Sequence, residues 1–216
     1  MGYRLETLGK LKVTDHQPIR PSPLVLLTFL SLEGAKDRRY LAELFYMKTA
    51  CPRANLRKAL FRLNREGVLV QSEGNRLETP VTSDAEFLQR AAQRGACRTV
   101  TELYRGPFLV GVSLAGFSEE LKEWVYKTKD TLEATVFDAY LKLIHRHQNK
   151  DDLRAAAALL NQGLKTVDAG NLEPSQLERG YKLACNLRSH KLREMCALLG
   201  ECGGAQAQMP QLDATQ

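Results

Sequence analysis

The chain has 216 residues, of which 44% are hydrophobic and 26% are charged. This composition is typical of a folded globular protein and excludes the disordered and fibrous classes. Residues 1–6 include an acid and lack a long apolar run, so they do not resemble a secretory signal. The densest apolar run, residues 24–30, is far shorter than the roughly 20 residues that a membrane helix needs. We therefore expect a cytoplasmic protein without membrane contact.

Positive charge is concentrated in one segment of the chain. Residues 36–65 contain nine basic side chains and two acidic ones, a net charge of +7, whereas the whole chain carries +6. The remainder of the chain therefore sums to −1. A local basic surface is typical of a binding site for a polyanion, and a solvated basic surface is the alternative.

The cysteines and histidines do not form a metal-binding pattern. The five cysteines are an odd number and include no Cys-x-x-Cys pair, which argues against a disulfide framework and against a zinc ribbon. We expect them to be reduced and to pack as small hydrophobic residues. His145 and His147 lie two positions apart, on different faces of a predicted helix. We expect no metal and no cofactor.

The first half of the chain begins with short strands and continues with helices. Residues 3–20 alternate apolar and polar side chains between turn signals, which predicts strands. A first helix is predicted over residues 23–33, with Ser22 as its N-cap. Asp37 is the predicted N-cap of a second helix. A third helix is predicted from about residue 52 to residue 66.

A hairpin follows the third helix. Two short strands, residues 68–71 and 76–79, flank a turn that contains Gly74 and Asn75. Three helices followed by a hairpin predict a winged helix-turn-helix domain of the α+β type over residues 1–82. We expect this domain to fold, and to bind DNA weakly, without the rest of the chain.

Beyond residue 82 the pattern is helical to about residue 200. Residues 83–86 match the capping box that opens a helix. Residues 153–160 are echoed by residues 192–199, and such repetition is typical of stacked helix pairs. Trp124 is the only tryptophan, and we expect it to pack between helices.

These patterns predict a mainly α fold with three segments. The winged helix-turn-helix domain occupies residues 1–82, and an all-α helical repeat domain occupies residues 83–202. Residues 203–216 are rich in Gln, Ala and Gly, and we expect a mobile tail there.

The third predicted helix separates an apolar face from a cationic face. At about 100° per residue, Leu56, Ala59, Leu60 and Leu63 fall on one side. The other side carries Ala54, Arg57, Lys58, Phe61, Arg62 and Arg65. A solvated helix usually includes acids for i, i+4 ion pairs, and none occurs between Pro52 and Arg65. The cationic side fits the major groove, where Arg pairs with guanine and Asn with adenine.

Nine side chains are the predicted contacts to double-stranded DNA: Arg38, Arg39, Arg53, Asn55, Arg57, Lys58, Arg62, Arg65 and Arg76. Arg38 and Arg39 begin the second helix, whose N-terminus adds positive potential for a phosphate. Arg76 follows the hairpin turn, where it would contact the DNA backbone or minor groove, or remain solvated. Phe61 would touch a thymine methyl group or a sugar, or pack under the wing, and we favour packing.

Several motifs, taken in order, resemble one family. They are Leu8-Gly9-x-Leu11-x-Val13, Leu41-Ala42-Glu43-Leu44-Phe45, Asn55-Leu56-Arg57-Lys58-Ala59-Leu60-x-Arg62-Leu63, Asp84-x-x-x-Leu88, Leu103-Tyr104-x-Gly106-Pro107-Phe108-Leu109 and Trp124. From about residue 3 to residue 199 the chain resembles activators of the bacterial antibiotic regulatory protein (SARP) type. Two departures are Phe45, where the family usually has Trp, and residues 168–174, which lack the expected Asp-Pro pair.

The resemblance implies a fold and a function. In that family an OmpR-like winged helix is joined to a bacterial transcriptional activator domain of tetratricopeptide (TPR)-like helices. The resemblance also implies an activator of transcription that binds promoter direct repeats as a head-to-tail pair and contacts RNA polymerase.

The sequence leaves two alternatives to transcription regulation and argues against an enzyme. No phosphate-binding loop, zinc-protease motif or nucleophile elbow occurs in the sequence, so we expect no enzyme and no catalytic residue. A TPR-like protein-interaction scaffold with an incidental basic segment is one alternative. The N-terminal regulatory module of a larger signalling ATPase is another.

Overall fold

A computed structural model describes residues 4–14, 16–68, 70–167 and 172–187. Within these ranges the protein is mainly helical, which confirms the predicted mainly α class. The second copy of the sequence echo, residues 192–199, and the predicted mobile tail, residues 203–216, lie outside the described residues.

Helices and short strands alternate in the first half of the chain, and helices follow in the second half. The strands are β1 (Arg4–Glu6), β2 (Lys12–Val13), β3 (Lys36–Asp37), β4 (Gln71–Glu73), β5 (Arg76–Glu78) and β6 (Thr82–Ser83). The helices are α1 (Pro21–Glu33), α2 (Arg38–Tyr46), α3 (Pro52–Arg65), α4 (Asp84–Gln93), α5 (Cys97–Leu103), α6 (Glu119–Gln148), α7 (Leu153–Thr166) and α8 (Pro174–Asn186).

Helix α1 begins earlier than the sequence predicts. Pro21 occupies its first turn, and the N-cap residue is Arg20, whose side chain makes no capping bond. Proline is tolerated there because the N–H that it lacks would have no helical partner. The predicted cap at Ser22 is therefore wrong. Ser22 lies within the helix, where its hydroxyl is 3.4 Å from the Tyr46 hydroxyl.

Helix α2 begins at the predicted cap. The Asp37 carboxylate accepts hydrogen bonds from the backbone N–H groups of Arg39 at 2.7 Å and Tyr40 at 3.2 Å. These bonds stabilise the ionised form, so the pKa of Asp37 is lowered, first by the Tyr40 N–H and next by the Arg39 N–H.

The first strand of the hairpin begins later than predicted, at Gln71, and the second begins at the predicted residue, Arg76. Val68 is not part of a strand; its N–H donates to the Leu63 carbonyl at 2.9 Å and closes the turn that follows α3. Pairing of β4 with β5 leaves Gly74 and Asn75 as a two-residue turn, and Gly74 takes a φ of +58°. A glycine adopts this conformation at little cost. A third strand, β3, pairs with β5 and was not predicted.

The second sheet joins the opening segment to the start of α4. Strand β1 pairs with β2 in antiparallel fashion and with β6 in parallel fashion. Immediately after β6, the buried Asp84 carboxylate accepts hydrogen bonds from the Thr7 hydroxyl at 2.6 Å, the Thr7 N–H at 2.7 Å and the Leu8 N–H at 3.3 Å. Desolvation raises the pKa of Asp84 even though these bonds favour its ionised form.

The capping box of α4 is completed through another helix. The Ser83 hydroxyl caps α4 by accepting from the Glu86 N–H at 3.1 Å, as predicted. The Ser83 N–H donates to the Ser31 hydroxyl of α1 at 3.1 Å. The Ser31 hydroxyl in turn donates to the Glu86 carboxylate at 3.1 Å. Ser31 therefore connects the two partners of the box and fixes α4 to α1.

The larger apolar cluster of the described residues runs through both halves of the chain, and a smaller one lies beside it around Leu5, Leu24 and Leu63. In chain order, the first buried residue of the larger cluster is Leu8 and the last is Ala184. The ring of Phe29 in α1 lies 4.8 Å from Trp124 of α6 and 5.8 Å from Phe45 of α2, measured between centroids. Trp124 thus packs between helices, as predicted. The domain division at residue 82 stays a prediction, and the core continues across that position.

The last helices pack on α6. Gly163 of α7 lies against the Tyr140 ring so closely that an added Cβ would come within 3.1 Å of it. The Gln176 side chain of α8 donates to the Ala134 carbonyl of α6 at 3.0 Å. Among the helices that the structure describes, none is long and apolar enough to cross a membrane.

Candidate nucleic-acid interface

Helix α3 has one buried face and one exposed face. Leu56 and Leu63 are fully buried, Ala59 is buried, and Leu60 is 9% exposed. The exposed side chains are those of Arg53, Arg57, Lys58, Phe61, Arg62, Asn64 and Arg65. Asn55 is half-buried. The separation into an apolar and a cationic face follows the predicted periodicity, and α3 is anchored to the core by its leucines.

The N-terminus of α3 is open. Cys51 is its N-cap residue, Pro52 follows, and no described side chain accepts a bond from the first turn. The first-turn N–H groups and the helix dipole therefore leave positive potential at this end of the helix. Cys51 is exposed, which corrects the expectation that the cysteines are buried.

Four of the nine predicted DNA-contacting side chains have partners within the protein. Arg38 donates to the Ser72 hydroxyl, and Arg76 donates to the Ala35 carbonyl, each at 3.0 Å. Arg39 pairs with Glu43 and Arg65 with Glu66, each at 3.0 Å. All four contacts are at the surface, where such interactions contribute little to stability and exchange readily with other partners.

The other charged candidates lack a carboxylate partner. Arg53, Arg57, Lys58 and Arg62 form no salt bridge with any acid in the described ranges. Arg62 lies near the hydroxyl of Tyr46, where its charge lowers the pKa while burial, the larger effect, raises it. The exposed face of α3 therefore carries uncompensated positive charge.

Two shallow grooves border this face. One lies between α2 and the start of α3 and is lined by residues that include Arg39, Arg53 and Arg57. The other lies between α3 and the β4–β5 hairpin, and its lining includes Arg38 and Arg57. The structure therefore brings Arg38, Arg39, Arg53 and Arg57 together around α3. Arg76 lines neither groove, because its guanidinium is directed to Ala35.

Phe61 does not pack under the hairpin. Its side chain is 68% exposed and lies among the basic side chains of α3. The expectation that it packs is therefore wrong. Helical periodicity places Phe61 on the cationic side, whereas Leu60 of α3 and Leu77 of the hairpin are both buried in the same apolar cluster.

The hairpin is held against the start of α2. The backbone N–H of Arg38 donates to the Asn75 carbonyl at 2.8 Å. The Asn75 side-chain amide donates to the Asp37 carboxylate. The turn of the hairpin and the N-terminus of α2 are therefore fixed relative to one another.

Comparison of the chain with family models, with curated proteins and with solved structures finds no match. Within the described part of the chain, no group of three or more His, Cys, Asp or Glu side chains could hold a metal ion.

Two of the motifs that carry the family resemblance lie against each other in the structure. The Gly9 N–H donates to the Pro107 carbonyl at 3.1 Å, and Leu8 forms an antiparallel bridge with Phe108. A Cβ at Gly9 would lie 2.9 Å from the Arg105 carbonyl oxygen, so this approach requires glycine.

Proposed function

We propose that the protein is a sequence-specific, DNA-binding transcription regulator and that α3 is its recognition helix. The exposed face of α3 carries this proposal. It holds Arg53, Arg57, Lys58 and Arg62 without a carboxylate partner in the described ranges, while leucines fix the opposite face in the core. A helix that is anchored on one side and cationic on the other fits the major groove of DNA.

The elements around α3 support a winged helix-turn-helix arrangement. Helix α2 precedes α3 and buries Leu41, Ala42, Leu44 and Phe45, so that both helices rest on one core. The β4–β5 hairpin follows α3 in the position of a wing. Arg38 and Arg39 begin α2, where the helix N-terminus favours a phosphate. Arg76 would reach the DNA backbone only by leaving the Ala35 carbonyl.

The helices beyond residue 82 are the proposed TPR-like activator domain. Helix α7 packs on α6 through Gly163 and Tyr140, and α8 packs on α6 through Gln176. Successive packing of this kind supports a stacked-helix arrangement. By its resemblance to SARP-type regulators, the protein would activate transcription from promoter direct repeats, as a pair on DNA, in contact with RNA polymerase.

A DNA-binding measurement separates this function from that of a protein-interaction scaffold. We would measure the affinity of the full chain for a random-sequence duplex by fluorescence anisotropy at about 50 mM and about 200 mM salt. Four phosphate contacts would weaken binding on the order of 100-fold between the two conditions, because each contact releases condensed counterions. Absence of binding at the lower salt concentration would favour the scaffold.

Selection of bound duplexes from a random pool would then test specificity and assembly. A regulator that binds as a head-to-tail pair should recover two copies of one half-site in the same orientation. Their centres should be separated by about 10.5 base pairs, one turn of DNA, or a multiple of it. A recovered pool without a consensus would contradict sequence-specific recognition.

A further inference from the structure

Phe61 is the most exposed large apolar side chain in the described part of the chain, at 68%. Isolated apolar residues are common on protein surfaces, so exposure alone indicates nothing about function. The position of Phe61 is more informative, because it lies in the middle of the face that we assign to DNA.

The neighbours of Phe61 on α3 are basic. Arg57 and Lys58 precede it by four and three positions, and Arg65 follows by four, so all three lie beside it on the helix surface. Phe61 lies among the basic side chains on the exposed face of α3 and also lines the groove between α3 and the hairpin. A duplex that contacts Arg57, Lys58 and Arg62 would therefore cover the Phe61 ring.

An apolar ring in the major groove has a specific complement. The edges of the bases offer hydrogen-bond donors and acceptors, and thymine alone adds a C5-methyl group. Cytosine has hydrogen at C5 and presents an N4 amino donor, for which a phenyl ring is a poor partner. When the Phe61 ring covers a thymine methyl group, the ring and the methyl group both lose contact with water, which favours binding.

We propose that Phe61 contacts the C5-methyl group of one thymine and selects thymine over cytosine at that position. This inference depends on the proposed function, since it requires α3 to lie in the major groove. It assigns specificity to Phe61, whereas the surrounding Arg and Lys side chains supply affinity for phosphates and contacts to guanine.

The test removes the methyl group and nothing else. In a duplex recovered by selection from a random pool, each thymine is replaced in turn by deoxyuridine, and affinities are measured by fluorescence anisotropy. The unmodified protein should lose affinity about fourfold at one position, the factor that corresponds to about 0.8 kcal/mol for one buried methyl group. Phe61→Ala should bind the thymine duplex more weakly and show no loss with deoxyuridine there. Phe61→Leu should keep part of the preference.

Two results would overturn the inference. One is that no deoxyuridine replacement weakens binding by the unmodified protein, and the other is that Phe61→Ala keeps the same thymine-to-deoxyuridine ratio. Arg57→Ala and Arg62→Ala, measured on the same duplexes, separate this failure from failure of the proposed function. Loss of affinity in those variants would leave the function standing and remove only the role of Phe61. Thermal unfolding checks that Phe61→Ala is folded, as the exposure of the ring predicts.

Discussion

The side-chain amide of Asn75, in the turn of the β4–β5 hairpin, donates a hydrogen bond to the carboxylate of Asp37, which caps α2. One carboxylate thus serves the first turn of α2 and the turn of the hairpin. Asp37→Ala should lower the melting temperature, because the cap is lost, and should weaken DNA binding, because the hairpin is released. Asp37→Asn is the matched control, since its amide oxygen still accepts from the helix. Equal melting temperatures for all three proteins would contradict this role.

The charge of Asp37 adds a pH dependence. Its pKa in the folded protein is lowered from 3.8 by the N–H groups of Tyr40 and Arg39. A lowered folded pKa stabilises the fold above the unfolded value and loses that contribution as the pH falls through the folded value. The melting temperature of the unmodified protein should therefore fall relative to that of Asp37→Asn below pH 3.8. The prediction would be contradicted if the difference in melting temperature between the two proteins were the same at pH 7 and at pH 3, which is about one unit below the unfolded pKa.

Leu60 and Arg62 lie two positions apart on α3 and should respond oppositely. Leu60→Ala should destabilise the protein by roughly 2 to 5 kcal/mol, because it leaves a cavity in the core. Arg62→Ala should leave the melting temperature unchanged and should weaken DNA binding. If it removes a base contact, it should cost about 1 to 3 kcal/mol for the preferred sequence and relax discrimination at one position. Strong destabilisation by Arg62→Ala would show that the exposed face of α3 is structural.

The Thr7–Asp84 contact should stabilise the fold most when the carboxylate is ionised. Thr7→Val removes the hydroxyl that lies 2.6 Å from the Asp84 carboxylate and keeps the side-chain shape. Loss of a hydrogen bond to a charged group should cost about 1.5 to 3 kcal/mol at pH 7.

The titration of Asp84 as a whole has the opposite sign to that of Asp37, whereas the Thr7 contact, which favours the ionised form of Asp84, has the same sign as Asp37. Burial raises the folded pKa of Asp84 above 3.8, so ionised Asp84 opposes folding above that pKa, and the opposition disappears as the pH falls. Because the Thr7 hydroxyl stabilises the ionised carboxylate, the cost of Thr7→Val should shrink as the pH is lowered from 7 toward 4, as measured by urea denaturation. A cost that grows on acidification would contradict the assignment.

Residues beyond position 82 should be required for the stability of the first half. A fragment of residues 1–82 lacks Asp84, the partner of Thr7, and Trp124, the partner of Phe29. We expect it to melt at a lower temperature than the full chain or to be unfolded by circular dichroism. A fragment of residues 1–148, which ends with α6, is the control and should be folded. An equally stable fragment of residues 1–82 would support the sequence-based domain division instead.

The parts of the fold that depend on local patterns were predictable from the sequence. The two faces of α3 follow from the spacing of its leucines, and the caps at Asp37 and Ser83 follow from the identity of one residue. Helical periodicity also placed Phe61 on the exposed side of α3. The expectation that it packs under the hairpin came from the apolar character of its ring, and it was wrong because the hairpin does not reach that side of the helix far enough to bury it.

The parts that depend on distant partners were not predictable. Strands β3 and β6 have two residues each, too few for a periodic pattern, and their pairing with β5 and β1 joins distant segments of the chain. The contact of Arg76 with Ala35 depends on the β3–β5 pairing. The pairing of β1 with β6 also brings Thr7 and Asp84 together, 77 residues apart in the chain, and no local signal indicates this contact.

Two triple variants with the same change in charge test whether the exposed face of α3 binds DNA. One is Arg57→Ala, Lys58→Ala, Arg62→Ala; the other is Lys142→Ala, Arg146→Ala, Arg154→Ala, which removes exposed charges at the ends of α6 and α7. The measurement is the duplex dissociation constant as a function of salt, with melting curves to show that both proteins are folded. We predict that the α3 variant loses affinity and that its salt slope falls by about one unit per lost phosphate contact, while the second variant stays close to the unmodified protein. Equal affinities and equal salt slopes for the two folded variants would contradict the assignment of α3 as the recognition helix.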